Sequence, residues 1–196
     1  MVFISNMNTI TFTSHFKKNM IIQTRDGSSN YCDKVVSVVE LDKTNARDID
    51  AMFAIGDNWS KHGFNYAPSI LISAVSDDDE TDWPDKLKEH YIAMTLQDDN
   101  FEKLDPKKVI GLSLLSEYNY DNEINYLQVK PTNSYSKVGK KRKYKKIGTA
   151  MLDYMKSISE QKPIFVNSAL EAVNFYTMND FEKVSEEEPT KLYYNV

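Results

Sequence analysis

The sequence predicts an α/β domain, in which strands and amphipathic helices alternate along the chain. Short segments rich in Val, Ile and Leu are bounded by turn residues, which is typical of strands, and other segments repeat apolar residues at helical spacing. The chain has 196 residues, 41% of them apolar, so it can fold around a core of ordinary size. We expect a folded domain over residues 34–196, preceded by an N-terminal extension over residues 1–33.

The first half of the chain predicts a strand and a helix. Residues 1–33 are polar and mixed, so we expect at most an edge strand there. Residues 34–41 (KVVSVVEL) are rich in Val and predict a buried strand. Residues 45–59 predict a helix, because apolar residues recur at helical spacing: Ala46, Ile49, Met52 and Phe53. Residues 60–88 are irregular and predict either a short second helix with a loop or an insertion.

A hairpin is predicted in the middle of the chain. Residues 91–96 and 109–118 (VIGLSLLSEY) read as strands, and the second signal is the stronger. The polar link 119–122 then predicts an antiparallel turn into a strand over 124–129. Pro131 ends that strand, because proline cannot donate a ladder hydrogen bond.

The C-terminal part predicts two helices among short strands. Residues 146–160 carry one apolar stripe: Ile147, Met151, Tyr154 and Ile158. A short strand is expected at 164–166 and a second helix at 169–178. Two further short strands, 181–184 and 191–194, complete the predicted sheet.

Composition excludes several classes of protein. With Cys32 as its one cysteine, the chain has no internal disulfide framework and no Cys-rich zinc site. The three histidines are far apart, so no metal site is expected. The start of the chain lacks the features of a signal peptide, and no segment approaches the ~20 apolar residues that span a bilayer. We therefore expect a cytoplasmic protein that does not bind membranes.

Positive charge is concentrated in one loop of an acidic chain. The net charge is −5, yet residues 137–146 (KVGKKRKYKK) carry seven positive charges: Lys137, Lys140, Lys141, Arg142, Lys143, Lys145 and Lys146. A single basic patch favours a local anionic ligand over a general nucleic-acid surface. Binding of nucleic acid through 137–146 is the less favoured alternative.

The order strand, basic loop and helix over residues 124–152 predicts an anion site. A helix N-terminus presents unpaired N–H groups and a partial positive charge, which suit a phosphate. Gly148, Thr149 and Ala150 are small, so the backbone can come close to a ligand. We therefore expect a pyrophosphate or nucleotide-phosphate site at 143–150. A solvated basic loop before an ordinary amphipathic helix explains the same residues equally well.

The same segment resembles the acetyl-CoA loop of the GNAT superfamily of acyltransferases. The similarity covers YKKIGTAML (144–152), preceded by LQVKP (127–131). The family pattern Q/R-x-x-G-x-G/A falls on Lys143, Tyr144, Lys145, Lys146, Ile147 and Gly148. Its last glycine is kept as Gly148, whereas Lys143 replaces the leading Gln or Arg and Lys146 replaces the first glycine.

A second similarity follows at the family's usual distance. SALEAVNFYTMNDFEKV (168–184) resembles the family's tail N-x-x-A-x-x-x-Y-x-x-x-G-F-x-x-V. We place these family positions at Ser168 for Asn, Ala172, Tyr176, Asp180 for Gly, and Phe181. Asp tolerates left-handed backbone better than most residues, so this replacement of glycine is mild. The resemblance is specific over 107–184, generic over 34–106 and absent in 1–33.

The resemblance implies a fold and an activity. The fold is a GNAT-like mixed, largely antiparallel sheet of six or seven strands with helices on both faces. The activity is transfer of an acetyl group from acetyl-CoA to a primary amine by direct attack. The positions that would bind acetyl-CoA are Leu127, Val129, Lys143, Tyr144, Lys145, Lys146, Ile147, Gly148, Thr149, Ala150 and Ser168. Backbone N–H groups around 127–129 would polarise the thioester carbonyl where two strands separate.

The resemblance also suggests catalytic residues. Tyr176 is the candidate acid for the leaving thiolate, and its alternative is a core aromatic on the helix stripe. A carboxylate must take the proton of the amine, and Glu123 and Glu117 flank the hairpin. For each of them the commoner case is a solvated carboxylate.

Two other functions remain open. A non-catalytic GNAT-fold module that binds CoA would explain the altered glycine, and an RNA-binding module would explain the basic loop. For the enzyme we expect an amine-bearing acceptor, small or macromolecular, and a monomer or homodimer.

Overall fold

Nine strands form one sheet in the computed structural model, which describes residues 15–26, 30–61, 70, 86–101, 103–134 and 142–195. The strands are β1 (His15–Arg25), β2 (Tyr31–Leu41), β3 (Lys86–Thr95), β4 (Val109–Tyr118), β5 (Asn122–Val129), β6 (Tyr144–Lys145), β7 (Ile164–Asn167), β8 (Glu182–Lys183) and β9 (Lys191–Tyr194). Their order across the sheet is β6-β1-β2-β3-β4-β5-β7-β9-β8.

The sheet is mixed and largely antiparallel. Each neighbouring pair is antiparallel except β5 and β7, which run parallel. The helices are α1 (Ala46–Ser60), α2 (Pro131–Ser134), α3 (Ile147–Ile158) and α4 (Val173–Thr177), with a 3-10 turn at Leu170–Ala172. The predicted fold class is confirmed, and the described sheet has nine strands rather than six or seven.

The two additional strands are β1 and β6. The sequence of β1, HFKKNMIIQTR, gives no clear alternation, and β6 has only two residues, so neither carries a periodic signal. β1 pairs with β2 from His15↔Glu40 to Arg25↔Tyr31, and it lies between β2 and β6 rather than at the edge. The predicted boundary at residue 33 therefore falls inside β2, and residues 1–14 lie outside the described residues.

Helix α1 covers one side of the central strands, which we refer to as the α1 face. Its N-terminus is capped by Asn45, whose side chain accepts a hydrogen bond from the Arg47 backbone N–H at 2.9 Å. The buried residues of α1 pack with residues of β2, β3 and β4: Met52, Ile55 and Trp59 with Val39, Tyr91, Ala93, Leu112 and Leu114. Burial of this stripe holds α1 on the sheet.

Helix α3 covers the opposite side, which we refer to as the α3 face. Its buried residues pack with strand residues from β1 to β7: Met151, Leu152 and Met155 with Ile22, Val36, Ile92, Met94, Ile110, Leu115, Ile124 and Val166. The closest approach is at Gly111 of β4, where a Cβ would overlap the Met151 sulfur and lie 3.1 Å from a methyl of Ile147. Glycine at this position therefore sets how close α3 lies to the sheet.

Two further expectations change or fall outside the described residues. The helix expected over 169–178 is a 3-10 turn followed by the short helix α4, because Ala169 keeps an extended backbone. Most of 60–88, including the acidic run 77–80, lies outside the described residues. In the described part of the chain, no helix is both long and apolar enough to cross a membrane.

Candidate functional site

Strands β5 and β7 separate after three residue pairs. The parallel ladder consists of Asn122↔Ile164, Glu123↔Phe165 and Ile124↔Val166. On its other side β5 has a bulge, since Leu114 and Leu115 of β4 pair with Tyr126 and Ile124 and leave Asn125 as the extra residue. A bulge bends its strand and increases the local twist. The bulge therefore lies where β5 begins to diverge from β7.

The separation leaves backbone groups of β5 open toward β7. Beyond Ile124, β5 continues to Val129 with partners on β4 only, among the described residues. In a strand, alternate N–H and C=O groups point to opposite neighbours, so about half of those in 125–129 face the gap. Leu127 and Val129 themselves are half-buried on the α3 face. The gap is therefore bordered by the β5 backbone that was predicted to polarise a carbonyl.

Helix α3 begins directly after β6, with Lys146 between the two elements. It runs from Ile147 to Ile158 and packs against β4, β5 and β1. No side chain caps its N-terminus, and the first backbone bond inside the helix is Ala150 N–H to Lys146 C=O, at 2.9 Å. The N–H groups of Ile147, Gly148 and Thr149 therefore have no acceptor within the helix and can hold an anion.

Both replaced glycines keep a left-handed backbone. Lys146 has φ 63 and Asp180 has φ 67, in the region that favours glycine. These are the positions at which the GNAT pattern has glycine. Lys146 therefore adopts a backbone conformation that glycine would favour, and its side chain adds bulk and a positive charge.

Gly148 makes its close contact with an aromatic ring. A Cβ at this residue would lie 2.9 Å from the Phe175 Cζ atom and 3.1 Å from its Cε2 atom. The lack of a side chain thus lets α4 pack against the start of α3, rather than opening space for a ligand on that side. Ile147 and Ala150 are core residues, and Thr149 is half-buried. Phe175 was not predicted, and its only signal in the sequence is its place beside Tyr176.

The basic residues before α3 lie at the edge of the sheet. β6 pairs with β1, which buries Tyr144 and leaves Lys143, Lys145 and Lys146 exposed. The Lys145 ammonium lies 3.8 Å from the centre of the Tyr31 ring, a cation–π contact, and the Tyr31 hydroxyl donates to the Arg142 carbonyl at 2.7 Å. Lys137, Lys140 and Lys141 lie outside the described residues. Four of the seven predicted charges thus stand next to the α3 N-terminus.

Tyr176 lies in the core of the α3 face. Its ring makes edge contacts with Phe175 and Phe181, at centroid distances of 5.1 and 5.4 Å. Burial raises the pKa of the phenol well above its usual range, so the hydroxyl stays protonated. Within the described residues this hydroxyl makes no hydrogen bond. Tyr176 is therefore a core aromatic and, among the described residues, a neutral donor without a partner.

The two predicted carboxylates are in different environments. Glu117 accepts a hydrogen bond from the Lys162 ammonium at 2.8 Å and lies 3.7 Å from the His90 Nε2 atom. The Lys162 hydrogen bond lowers the pKa of Glu117, which makes this carboxylate a weaker base. Burial, with a smaller contribution from Asp121, raises the pKa of Glu123. Of the two, Glu123 is the stronger base.

Glu117 and Glu123 also lie on opposite faces of the sheet. Glu117 lies 3.7 Å from His90, which pairs across the strands with Leu115 of the α3 core. Glu123 pairs with Ser116 and Phe165, whose neighbours Leu115 and Val166 face α3, so Glu123 is on the α1 face. Glu123 is therefore next to the point of strand separation, on the side away from Tyr176.

Ser168 has a structural role in the described residues. Its backbone N–H donates to the Thr190 carbonyl at 2.9 Å, and its hydroxyl donates to the Ala169 carbonyl at 3.1 Å. With the spacing N-x-x-A that the family has before Ala172, the Asn position falls on Ala169 instead. The match at Ser168 is thus displaced by one residue.

Two polar residues near the gap were not predicted. The hydroxyl of Ser113, which lies opposite Leu127, is fully buried and has no hydrogen-bond partner in the part of the chain that the structure describes. Asn125, the bulged residue, accepts a hydrogen bond from the Ser116 hydroxyl at 2.6 Å. Neither has a sequence signal, because a bulge and a buried hydroxyl both depend on which strand lies alongside.

Comparison with known proteins gives one similar structure. No protein-family model matches the chain, and no curated protein sequence matches it. The crystal structure of ElaA from Escherichia coli is similar over 81% of this chain and 97% of ElaA, with a TM-score of 0.43 and 13% identity. The fold class of this chain follows from its own strands and helices, which form a mixed and largely antiparallel sheet with helices on both faces.

Proposed function

We propose that the chain is an acetyl-CoA-dependent N-acetyltransferase that moves an acetyl group to a primary amine by direct attack. The observation that supports this most is the separation of β5 from β7 beside the start of α3. The gap offers backbone N–H groups to a carbonyl, and the helix N-terminus offers N–H groups to a phosphate. Motif resemblance at 143–150 and 172–184 supports the same assignment.

The pyrophosphate and the thioester of acetyl-CoA each have a matching group in this arrangement. The pyrophosphate would be held by the N–H groups at 147–149, with Lys143 and Lys145 as nearby cations. The rest of the cofactor would follow the open side of β5, and acetyl-CoA itself supplies the activated acetyl thioester. The chain's contribution is to hold this thioester at 125–129, between the α3 face and the α1 face.

Proton transfer is divided between two residues. The C–N bond forms as the C–S bond breaks, so the amine must lose a proton and the sulfur must gain one. Glu123, whose pKa is raised by burial, accepts the amine proton from the α1 face. Tyr176, kept protonated by burial, donates to the sulfur from the α3 face. Amine and thioester would thus approach from opposite sides of the sheet.

The first test is calorimetric titration of acetyl-CoA into the purified chain, followed by thiol release with a panel of amines. We expect micromolar binding and amine-dependent release of CoA. Glu123→Gln is expected to lower kcat by about 10²-fold or more with the acetyl-CoA Kd unchanged. Glu117→Gln, on the other face and already paired with Lys162, is the matched control and should keep kcat within a fewfold range.

Other outcomes would change the assignment. No binding at millimolar acetyl-CoA would refute the proposal and leave the basic loop to be tested with RNA at increasing salt. Tight binding with no thiol release for any amine would favour the non-catalytic module instead. Equal loss of kcat in the Glu117 and Glu123 variants would refute the roles given to the two faces.

A further inference from the structure

A row of four side chains crosses the α1 face of four neighbouring strands. Register places Glu123 of β5 beside Phe165 of β7, Phe165 beside Tyr193 of β9, and Tyr193 beside Glu182 of β8. Directly paired residues present their side chains on the same face of a sheet. Two carboxylates therefore flank two aromatic rings in one line.

Three members of this row, Phe165, Tyr193 and Glu182, contact one another in sequence. The rings of Phe165 and Tyr193 have centroids 6.3 Å apart and are tilted by 33°. The Tyr193 hydroxyl donates to the Glu182 carboxylate at 3.0 Å, which raises the pKa of this phenol and keeps it neutral. Phe165 is 37% exposed, which is unusual for a large apolar side chain in the middle of a sheet.

Helix α1 does not cover this row. The strand residues that pack with α1 come from β2, β3 and β4, with Tyr126 of β5 at the margin, and within the described residues no residue of β7, β8 or β9 belongs to that cluster. The charge around the row is negative, because Asp121 lies near Glu123 and the next cation along β9, Lys191, is paired with Glu188 at 2.6 Å. The row is thus an aromatic and acidic surface at the point where β5 and β7 begin to separate.

We propose that this row, Glu123–Phe165–Tyr193–Glu182, binds a linear alkylamine acceptor that carries a second ammonium group. This rests on the proposed function, since the first amino group would be the one acetylated at Glu123. The second ammonium group would lie over the rings of Phe165 and Tyr193, whose faces attract cations. Glu182 would add charge complementarity at the far end. Strand spacing puts the rings about 5 to 10 Å from Glu123, the distance that such an acceptor must span.

The alternatives fit the row less well. An anionic acceptor would be repelled by Asp121, Glu123 and Glu182. A monoamine would use Glu123 but leave the two rings and Glu182 without a ligand. The row therefore predicts a preference for dications over monocations with the same carbon chain.

The test compares putrescine with n-butylamine, which has the same carbon chain and one amino group. We expect putrescine to have a kcat/KM higher by about tenfold, mainly through KM, and this ratio to fall toward one in Phe165→Leu and Glu182→Gln. Glu187→Gln removes an exposed carboxylate outside the row and should keep the wild-type ratio. Equal kcat/KM for the two amines in the wild type, or a ratio that Phe165→Leu and Glu182→Gln leave intact, would overturn the proposal.

A binding measurement separates this proposal from the proposed function. Calorimetric titration of putrescine into the chain without acetyl-CoA should show binding that is weakened severalfold by Phe165→Leu and by added salt. If putrescine binds in this way and no amine is acetylated, the acetyltransferase assignment fails while the row remains a cation site. If amines are acetylated but putrescine binds no better than n-butylamine, the row fails as the acceptor site. An N-acetyl-lysine amide preferred over putrescine would also refute it, in favour of a protein acceptor.

Discussion

Glu40 of β2 is the centre of a cluster of charges on the α3 face, and its removal should weaken the sheet. Its carboxylate lies 2.6 Å from His90 Nδ1 of β3 and 2.9 Å from the Lys17 ammonium of β1. Burial by itself raises the pKa of Glu40, but the hydrogen bonds and charges of His90 and Lys17 outweigh it. The result is a pKa of about 2, compared with an ordinary value of 4.5.

The size and pH dependence of the effect follow from this difference. Between pH 4.5 and about 2 the unfolded chain binds a proton at Glu40 that the folded chain does not. At about 1.4 kcal/mol for each pH unit between the two pKa values, reduced because solvent screens part of the interaction, the contribution to the free energy of unfolding is about 2 to 3 kcal/mol. It is present above pH 4.5 and is lost as the pH falls toward 2. The Glu40 carboxylate, which contacts Lys17 of β1 and His90 of β3, thus contributes a large part of the stability of an ordinary domain.

Urea denaturation of wild type and Glu40→Gln, at neutral pH and at stepwise lower pH, measures this contribution. The variant should lose about 2 to 3 kcal/mol at neutral pH and show a flatter acid dependence. Glu187→Gln, which changes an exposed carboxylate, should behave as wild type. The reasoning is refuted if Glu40→Gln keeps the wild-type dependence on pH, because the acid-sensitive group would then be another residue.

Four further predictions concern the backbone and the site. Gly111→Ala should lower the free energy of unfolding by about 1 to 3 kcal/mol in urea, because the new Cβ overlaps Met151. Lys146→Gly removes side-chain bulk beside the α3 N-terminus, so calorimetry should show tighter acetyl-CoA binding, and relief of the left-handed backbone at φ 63 should prevent a loss of thermal stability. Asp180→Ala should be less stable than Asp180→Gly by about 1 kcal/mol in chemical denaturation, because φ 67 disfavours a Cβ. Since the pKa of Glu123 is raised, activity should fall with decreasing pH from above the ordinary carboxylate value of 4.5, and a pH–rate profile that falls only below 4.5 would exclude Glu123 as the base.

The sequence by itself predicted the elements whose signal is local. The hairpin of β4 and β5 and helix α3 follow from turn residues and from periods of two and 3.6 residues. The tolerance of Asp180 for left-handed backbone also follows from the residue type alone, and φ is 67 there. These properties depend on residues that are near one another in the chain.

Tertiary structure decided the rest, because it depends on segments that are distant in sequence. β6 is a strand only because β1 lies beside it, and Gly148 is a packing position only because Phe175 faces it. Glu117 and Glu123 look equivalent in the sequence, yet Lys162 lowers the pKa of the first and burial raises that of the second. The row from Glu123 to Glu182 spans four strands. No local sequence pattern encodes this register, because the register is set by how whole strands pair and by which faces of the sheet the helices cover.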